Sequence, residues 1–566
     1  MVASKTSRGS AFLLFSAGVA CSEPVDVDVQ LVDPCNQEAL TTVDYLRFEP
    51  RGSGIDSFAL STVELVPGDA PGGQAADIEL PLAPDFQLLV TGHEGSIDAD
   101  APPSALGLSS TVDLSAVESS VSIRLPMSRL GQFHRTTDLT ASAEATNRCS
   151  ALARDRFGAS ATVLPGGEVL IVGGARYADG FLEVPRRVEV YDPRTGTFRD
   201  RSDDSSRTWE LGAGQARRRH TATLLSDGRV LVAGGQAPDP QRQGSETALL
   251  SAFIIDARNP QDVRIPEGGF TMLAARTGHR ATALPDGRVV LVGGRQLTAG
   301  DSSLEGQTYL DSVEVYDSSA GAFLLATDGS GNALTLAEAR FGHSAIAIPG
   351  SVDVLVAGGF NALGPVRTVE VLRFIAGSPV RIPASGGTDV GAIYHSATLT
   401  QDGTVLLSGG YSTLEDVRSR PPVGSARIVE MWAVDVATGR AERICQDELT
   451  VERGQHTSSI VGRRAIFIGG RDANGRPRSD GEVADLRSLG EIQNASSGCF
   501  TANPTLESMT DARAEHEAVV LPASREVLIL GGVQQDPAQN VPGATTATAE
   551  IFSDFARRGL VSTPTP

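Results

Sequence analysis

Aromatic residues make up only 5% of this 566-residue chain, and cations are outnumbered 48 to 69 by acids, for a formal charge of −21. That balance argues against nucleic acid and anionic membrane surfaces as partners. An acidic surface does suit an exported protein that must stay soluble. The apolar N-terminal run AFLLFSAGVA (Ala11 to Ala20) is too short to span a bilayer. The five cysteines form no CxxC pair and no Cys/His cluster. A zinc site is therefore not expected, and no metal or other cofactor is assigned. No isolated catalytic acid stands out, because the conspicuous carboxylates are repeated ones.

What is present in quantity is glycine, 61 residues of it, and much of it comes in pairs. The stretch RTGHRATALPDGRVVLVGG (Arg276 to Gly294) reads as a strand, a two-residue Asp-Gly turn and an apolar strand ending at a diglycine. Related stretches end at Gly173-Gly174, Gly234-Gly235, Gly293-Gly294, Gly358-Gly359, Gly409-Gly410, Gly469-Gly470 and Gly531-Gly532. Self-similarity at such a period signals a propeller or solenoid. The apolar runs, VLIV at Val169 to Val172 and VVLV at Val289 to Val292 among them, are unbroken and imply burial on both faces. A third strand, VEVYD, appears at Val188 to Asp192 and at Val313 to Asp317; a fourth follows near Phe198 and Phe323. Four antiparallel strands per unit make a propeller blade.

The diglycine, the VEVYDP-like strand and the aromatic after the next turn resemble the kelch repeat, over about residues 150 to 555. The resemblance implies a seven-bladed kelch-type β-propeller, and period-two alternation ahead of it adds a small β-sandwich domain, for an all-β fold. Residues 1–20 read as a signal peptide, 21–135 as an Ig-like or prealbumin-like sandwich, and 136–566 as the propeller. The first unit rests on alternating segments such as VDVDVQLV (Val25 to Val32) and FQLLVTG (Phe86 to Gly92). Either the tail Arg558 to Pro566 or a strand from before residue 150 closes the ring.

Lys5 and Arg8 ahead of the apolar run mark an export signal. Cys21 after Gly18, Val19 and Ala20 resembles the acylated cysteine of a bacterial lipobox; ordinary cleavage after Ala20 is the alternative. The address is outside the cytoplasm, as an outer-membrane or cell-surface lipoprotein or as a secreted protein. There the remaining four cysteines suggest two disulfides. Cys445 with Cys499, in corresponding inter-blade segments, and Cys35 with Cys149 is the favoured connectivity.

Arginine recurs before the first strand at Arg156, Arg217, Arg276, Arg340, Arg453 and Arg513, with a histidine three residues on in five of the six. The third strand supplies Glu189, Glu314, Glu370, Glu430, Glu482 and Glu550. Residues present in nearly every blade are expected to hold blades together, as Arg–Glu pairs beside the diglycines with histidines bonded to backbone groups. Two blades depart. Phe253 stands where the second needs its Glu, and the fifth has Ala392 for Arg and Tyr394 before His395.

The strand GAIYHSATLTQDG (Gly391 to Gly403) is similar to the Tyr-His copper-ligand strand of galactose oxidase and glyoxal oxidase. That resemblance implies Tyr394 as axial and His395 as equatorial ligand. The second Tyr is missing: the equivalent positions hold Gly158, Arg219, Gly278, Gly342, Gln455 and Glu515. The expectation is instead a binding or scaffold protein, monomeric, whose partner is an extracellular protein or glycan. Its membrane contact would be through the lipid anchor alone. Long loops on one face, carrying Arg186, Arg187, Arg242, Arg418 and Arg420, are the candidate contact surface with Tyr394 and His395. The alternative is a carbohydrate-active enzyme of the same fold, either a copper-radical sugar oxidase or a sugar epimerase.

Overall fold

The computed structural model describes residues 11–13, 25–32, 35, 42–52, 61–64, 75–80, 85–95, 103–109, 112–114, 120–140, 149–178, 181–200, 209–212, 214–242, 245–260, 262–266, 268–297, 306–375, 379–391, 393–412, 425–494, 498–502, 504–534 and 544–553. Seven four-stranded antiparallel sheets form a ring, numbered here as blades 1 to 7 in chain order. Blade 1 pairs Ser160–Val163, Val169–Val172, Val188–Asp192 and Thr197–Arg199, in that order from the axis outward. The innermost strand of each blade packs against those of its two neighbours, and blade 7 meets blade 1. The ring is closed.

Closure explains the unbroken apolar runs. In blade 1, Leu170 and Val172 enter a core shared with Val230 and Val232 of blade 2, while Val169 and Ile171 pack against Leu528 and Leu530 of blade 7. Alternate residues of one strand thus serve two interfaces, so a polar residue has no place in the run.

Between the first two strands, the Asp-Gly pairs do not make the expected two-residue turns. In blade 3 the amide of Gly287 donates to Leu284 and that of Leu284 to Arg288, so three residues connect the strands, with Gly287 at positive φ. The Asp286 carboxylate accepts from the amide of Arg288, which holds Asp286 in the ordinary left half of φ/ψ space.

The outer strand of blade 7 comes from the N-terminal side. Gln132–Arg135 pairs antiparallel with Ala549–Ser553, and the rings of Phe133 and Phe552 stand 4.6 Å apart. The boundary expected at 135 therefore falls before Gln132, because strand pairing assigns that segment to the ring. The tail 554–566 lies outside the described residues.

Two sheets precede the ring. One orders Ala11–Leu13, Ala75–Leu80, Val25–Val32 and Ser120–Pro126; the other runs Ser61–Glu64, Tyr45–Arg51, Gln87–His93, Pro103–Leu108 and Ser128–Arg129. Val29, Leu31 and Ile123 from the first meet Phe48, Leu88 and Val90 from the second in one core, a sandwich. Disulfides join Cys35 to Cys149 and Cys445 to Cys499. Cys445 lies within the outer strand Ala441–Glu448 of blade 5 rather than in an inter-blade segment. Disulfides fit an oxidising, extracellular environment. No helix among the described residues is long and apolar enough to cross a membrane. Cys21, and all but Ala11–Leu13 of the expected leader, lie outside the described residues.

Candidate functional site at the channel mouth

The six repeated arginines share one geometry. Each is buried and donates from Nη1 to the carbonyl of the first glycine of its own blade's diglycine, at 2.7–3.0 Å. Five also meet the third-strand carboxylate: Arg156 with Glu189, Arg276 with Glu314, Arg340 with Glu370 (2.8 Å), Arg453 with Glu482 (3.0 Å) and Arg513 with Glu550 (2.5 Å). The diglycine then reaches the next blade. The amide of Gly235 donates to the Arg276 carbonyl at 2.9 Å, and a Cβ on Gly234 would stand 2.6 Å from that same oxygen. Glycine is required there because the neighbouring backbone already fills the space. Burial raises the Glu189 and Glu370 carboxyls and lowers Arg276, Arg340 and Arg513, so desolvation works against the four pairs these groups belong to.

The two exceptional blades find other partners. In blade 2, Arg217 donates to the carbonyl and hydroxyl of Ser251, each at 2.9 Å, and lies 4.7 Å over the Phe253 ring. Burial without a counter-ion brings its pKa down to about 10. In blade 5, Glu430 accepts from Thr388 Oγ1 and Asp389 N at 2.8 Å, from Trp432 Nε1 at 3.0 Å, and from Arg443 on the outer strand at 2.6 Å.

Five of the six repeated histidines bond hydroxyl side chains, not the backbone groups expected, while both ring nitrogens of His343 are buried without a hydrogen-bond partner. His220 Nε2 lies 2.8 Å from Ser160 Oγ, His279 3.0 Å from Thr221 Oγ1, His395 3.0 Å from Ser344 Oγ, and His516 2.9 Å from Thr457 Oγ1, always on the preceding blade. His456 bonds Ser408 of the preceding blade's second strand at 2.8 Å. A strand hydroxyl points sideways into the inter-blade gap, whereas the strand's backbone groups are used by its own ladder. Burial, with the nearby arginine as the second cause, pushes His220 and His456 down to about 3 and His279, His343 and His516 well below their ordinary value. All five rings are neutral, and all but His343 fasten one blade to the blade before it.

One residue before each histidine position, the chain turns into the channel with φ between +51° and +64°: Gly158, Arg219, Gly278, Gly342, Tyr394, Gln455 and Glu515. Backbone hydrogen bonds run from one to the next around the mouth. The amide of Arg219 donates to Gly158, Gly342 to Gly278, Tyr394 to Gly342, Gln455 to Tyr394, Glu515 to Gln455 and Gly158 to Glu515, at 2.8–3.3 Å. Three positions are glycine, which tolerates this conformation freely. The other four hold side chains that disfavour it, at about 1–2 kcal/mol each.

These seven positions rim a cavity of about 330 Å³. Arg219 reaches Glu515 at 2.7 Å and lies 6.0 Å over the Tyr394 ring; Arg295 lies 4.3 Å over Phe341, whose ring is edge-on to Tyr394. Burial tends to raise the Glu515 carboxyl, but Arg219 and Arg471 outweigh it and hold it near about 2. Below the rim, the residue after the histidine position is Ser160, Thr221, Ser344, Ser396 or Thr457 in five blades and charged in two, Arg280 and Glu517. Burial pushes Glu517 up to about 7 despite Arg280. Sequence reasoning passed over Arg219, Arg280, Arg295, Gln455, Glu515 and Glu517. For all but Arg295 the available signal was departure from Gly or Ser/Thr at a fixed repeat position; the position after the diglycine, where Arg295 stands, varies from blade to blade.

The long loops lie on the mouth face. In every blade an isolated bridge joins the residue before the rim to the one after the diglycine, as in Arg218 with Gln236 and Thr277 with Arg295. The loop arginines are locally engaged: Arg186 with Glu210 at 3.3 Å and Arg187 with Asp200 at 2.6 Å, while Arg242 closes a turn with Asp239 and Ser245. Arg418, Arg420 and Ala392 lie outside the described residues. Tyr394 and His395 diverge, Tyr394 to the rim and His395 into the gap toward Ser344. Among the described residues no group of three His, Cys, Asp or Glu is placed to hold a metal ion. An arginine over the tyrosine and a histidine committed to a serine do not fit a copper centre.

A kelch motif model matches residues 156–205, which span the Arg156–Glu189 pair and all four strands of blade 1. With seven four-stranded sheets in a closed ring the fold is a β-propeller, and its blade 1 carries the kelch motif. Solved structures with similar architecture include a fungal alcohol oxidase of the AA5 family in complex with copper (14% identity, 71% of this chain and 74% of that one, TM-score 0.47). Another is YjhT, at 12% identity, 63% of this chain and 98% of that one, TM-score 0.42. No curated protein matches the chain in sequence.

Proposed function

We propose that the chain is an exported, monomeric binding propeller that takes a protein or glycan guest over the channel mouth, on the face that carries the long loops. The observation carrying this reading is the rim. Arg219, Tyr394, Gln455 and Glu515 hold a strained conformation that glycine satisfies in the other blades, so something other than stability retains them. Together they offer a flat aromatic face, an amide and both charge signs, a mixture suited to hydroxyl-rich or peptide surfaces. The two disulfides support an oxidising compartment, and Cys21 is the residue that would carry a lipid anchor. Glycan-array and pull-down binding by the intact chain tests the reading. Tyr394→Ala should abolish what the wild type captures, while Arg186→Ala should not. Labelling with an alkyne fatty acid, lost in Cys21→Ser, tests the anchor.

One observation favours the enzymatic alternative in its isomerase form. A carboxyl pushed up to about 7 exchanges protons at neutral pH, and Glu517 stands in the cavity wall. Turnover of cyclic sugars that disappears in Glu517→Gln would establish it.

A further inference from the structure

Blade 3 brings two arginines to the cavity that have no carboxylate within ion-pair reach among the described residues. Arg280 donates from Nε to the His343 carbonyl at 2.9 Å and is otherwise exposed to the channel. Arg295, directly after Gly294, stacks on Phe341, and its buried Nε has no acceptor. The rim residue of this blade is Gly278, which adds no side chain of its own to the cavity. Arg219 flanks the same space from blade 2 and lies 6.0 Å over the Tyr394 ring.

The carboxylates nearby are already engaged. Glu515 is held by Arg219 at 2.7 Å and Glu246 by Arg218 at 2.5 Å, while Glu517 is largely stripped of its charge by burial as the pH falls below neutrality. Arg295 also shares a side-chain hydrogen bond with Tyr309, so what it and Arg280 lack is a carboxylate, which is conspicuous in a chain with 69 acids and 48 cations. A guanidinium that faces a confined channel with no anion beside it still has N–H donors to offer one. Its fork matches carboxylate or phosphate oxygens two at a time, and walls of low dielectric focus the field. About 330 Å³ admits one sugar-sized molecule.

Resting on the mouth as the binding site, we propose that the cavity binds the anionic group, carboxylate or phosphate, of a small polar guest through Arg280 and Arg295, with Tyr394 as the flat wall beside it. Calorimetry on the intact chain in low-chloride buffer tests this with three probes: glucuronate, glucose 6-phosphate and glucose. One or both anions should bind, and which one does distinguishes carboxylate from phosphate. Glucose should bind about tenfold or more weakly, and Arg280→Gln and Arg295→Gln should each reduce anion affinity about tenfold. Melting curves would verify that both variants fold. The proposal is overturned if neither anion binds at millimolar concentration, if glucose binds as tightly, or if both variants leave anion affinity unchanged. Should the anions fail while Tyr394→Ala still abolishes capture of a glycan or protein, only the anion site falls. Capture indifferent to Tyr394 removes the mouth reading itself.

Discussion

Arg219 of blade 2 and Glu515 of blade 7 meet at 2.7 Å across Gly158 of blade 1, both with φ near +50°. Two unfavourable backbone conformations are thus held on either side of a glycine to place one ion pair at the mouth of the channel. The pair exists only because the ring is closed.

The rim side chains should be dispensable for folding. Gln455→Gly removes a strained conformation and a 3.0 Å hydrogen bond from Arg471 while adding backbone freedom to the unfolded chain. Its stability should stay within about 1 kcal/mol of wild type, with guest binding weakened. A loss above about 2 kcal/mol in urea unfolding would show that Gln455 holds the fold instead.

The arginines inside the blades should behave oppositely. Arg276→Ala strands Glu314, a fully buried carboxylate, and should cost about 3–5 kcal/mol. Arg217→Ala leaves no charge behind, since its partners are carbonyls, a hydroxyl and a phenyl ring, so it should cost less. Equal losses in the two melting curves would refute the distinction.

Acid should unfold the ring through its histidines. His220 and His456 are held down to about 3, so between pH 6.5 and about 3 the unfolded chain binds more protons at these two. His279, His343 and His516, held well below their ordinary value, act in the same direction. Stability is full above that window and falls as pH drops through it, by up to about 1.4 kcal/mol per pH unit for each histidine. Glu515, held near about 2, adds to the loss below pH 4.5. His220→Gln should flatten the slope of stability against pH.

Glu517 carries the opposite sign. Its folded value is raised to about 7, so between about 4.5 and 7 the folded state holds a proton the unfolded state lacks, and stability falls as pH rises. Glu517→Gln should therefore stabilise at pH 8 and change little at pH 4. The difference between the two melting temperatures, followed across pH, checks it.

Cys445 and Cys499 close a span of 54 residues joining blades 5 and 6. Replacing both with Ala should cost about 4 kcal/mol by the loss of chain constraint in the unfolded state. Unfolding by urea with and without reductant measures it.

The sequence by itself determined the blade. Strand, turn, apolar run, diglycine and VEVYD strand are local patterns, and VLIV must be buried on both sides wherever it lies. The same repetition made the Arg276–Glu314 type of pair legible, because it recurs at one spacing. It did not reveal Pro103–Leu108, whose Pro and Gly mask a strand that only its sandwich neighbours hold in place. Nor could it choose Gln132–Arg135 to complete blade 7, since that partnership spans more than four hundred residues of chain. The candidate site lay furthest from view. Each blade lends it one rim residue about sixty positions from the next, and Arg219, Arg280, Arg295, Tyr394 and Glu515 become neighbours only when seven sheets close around one axis.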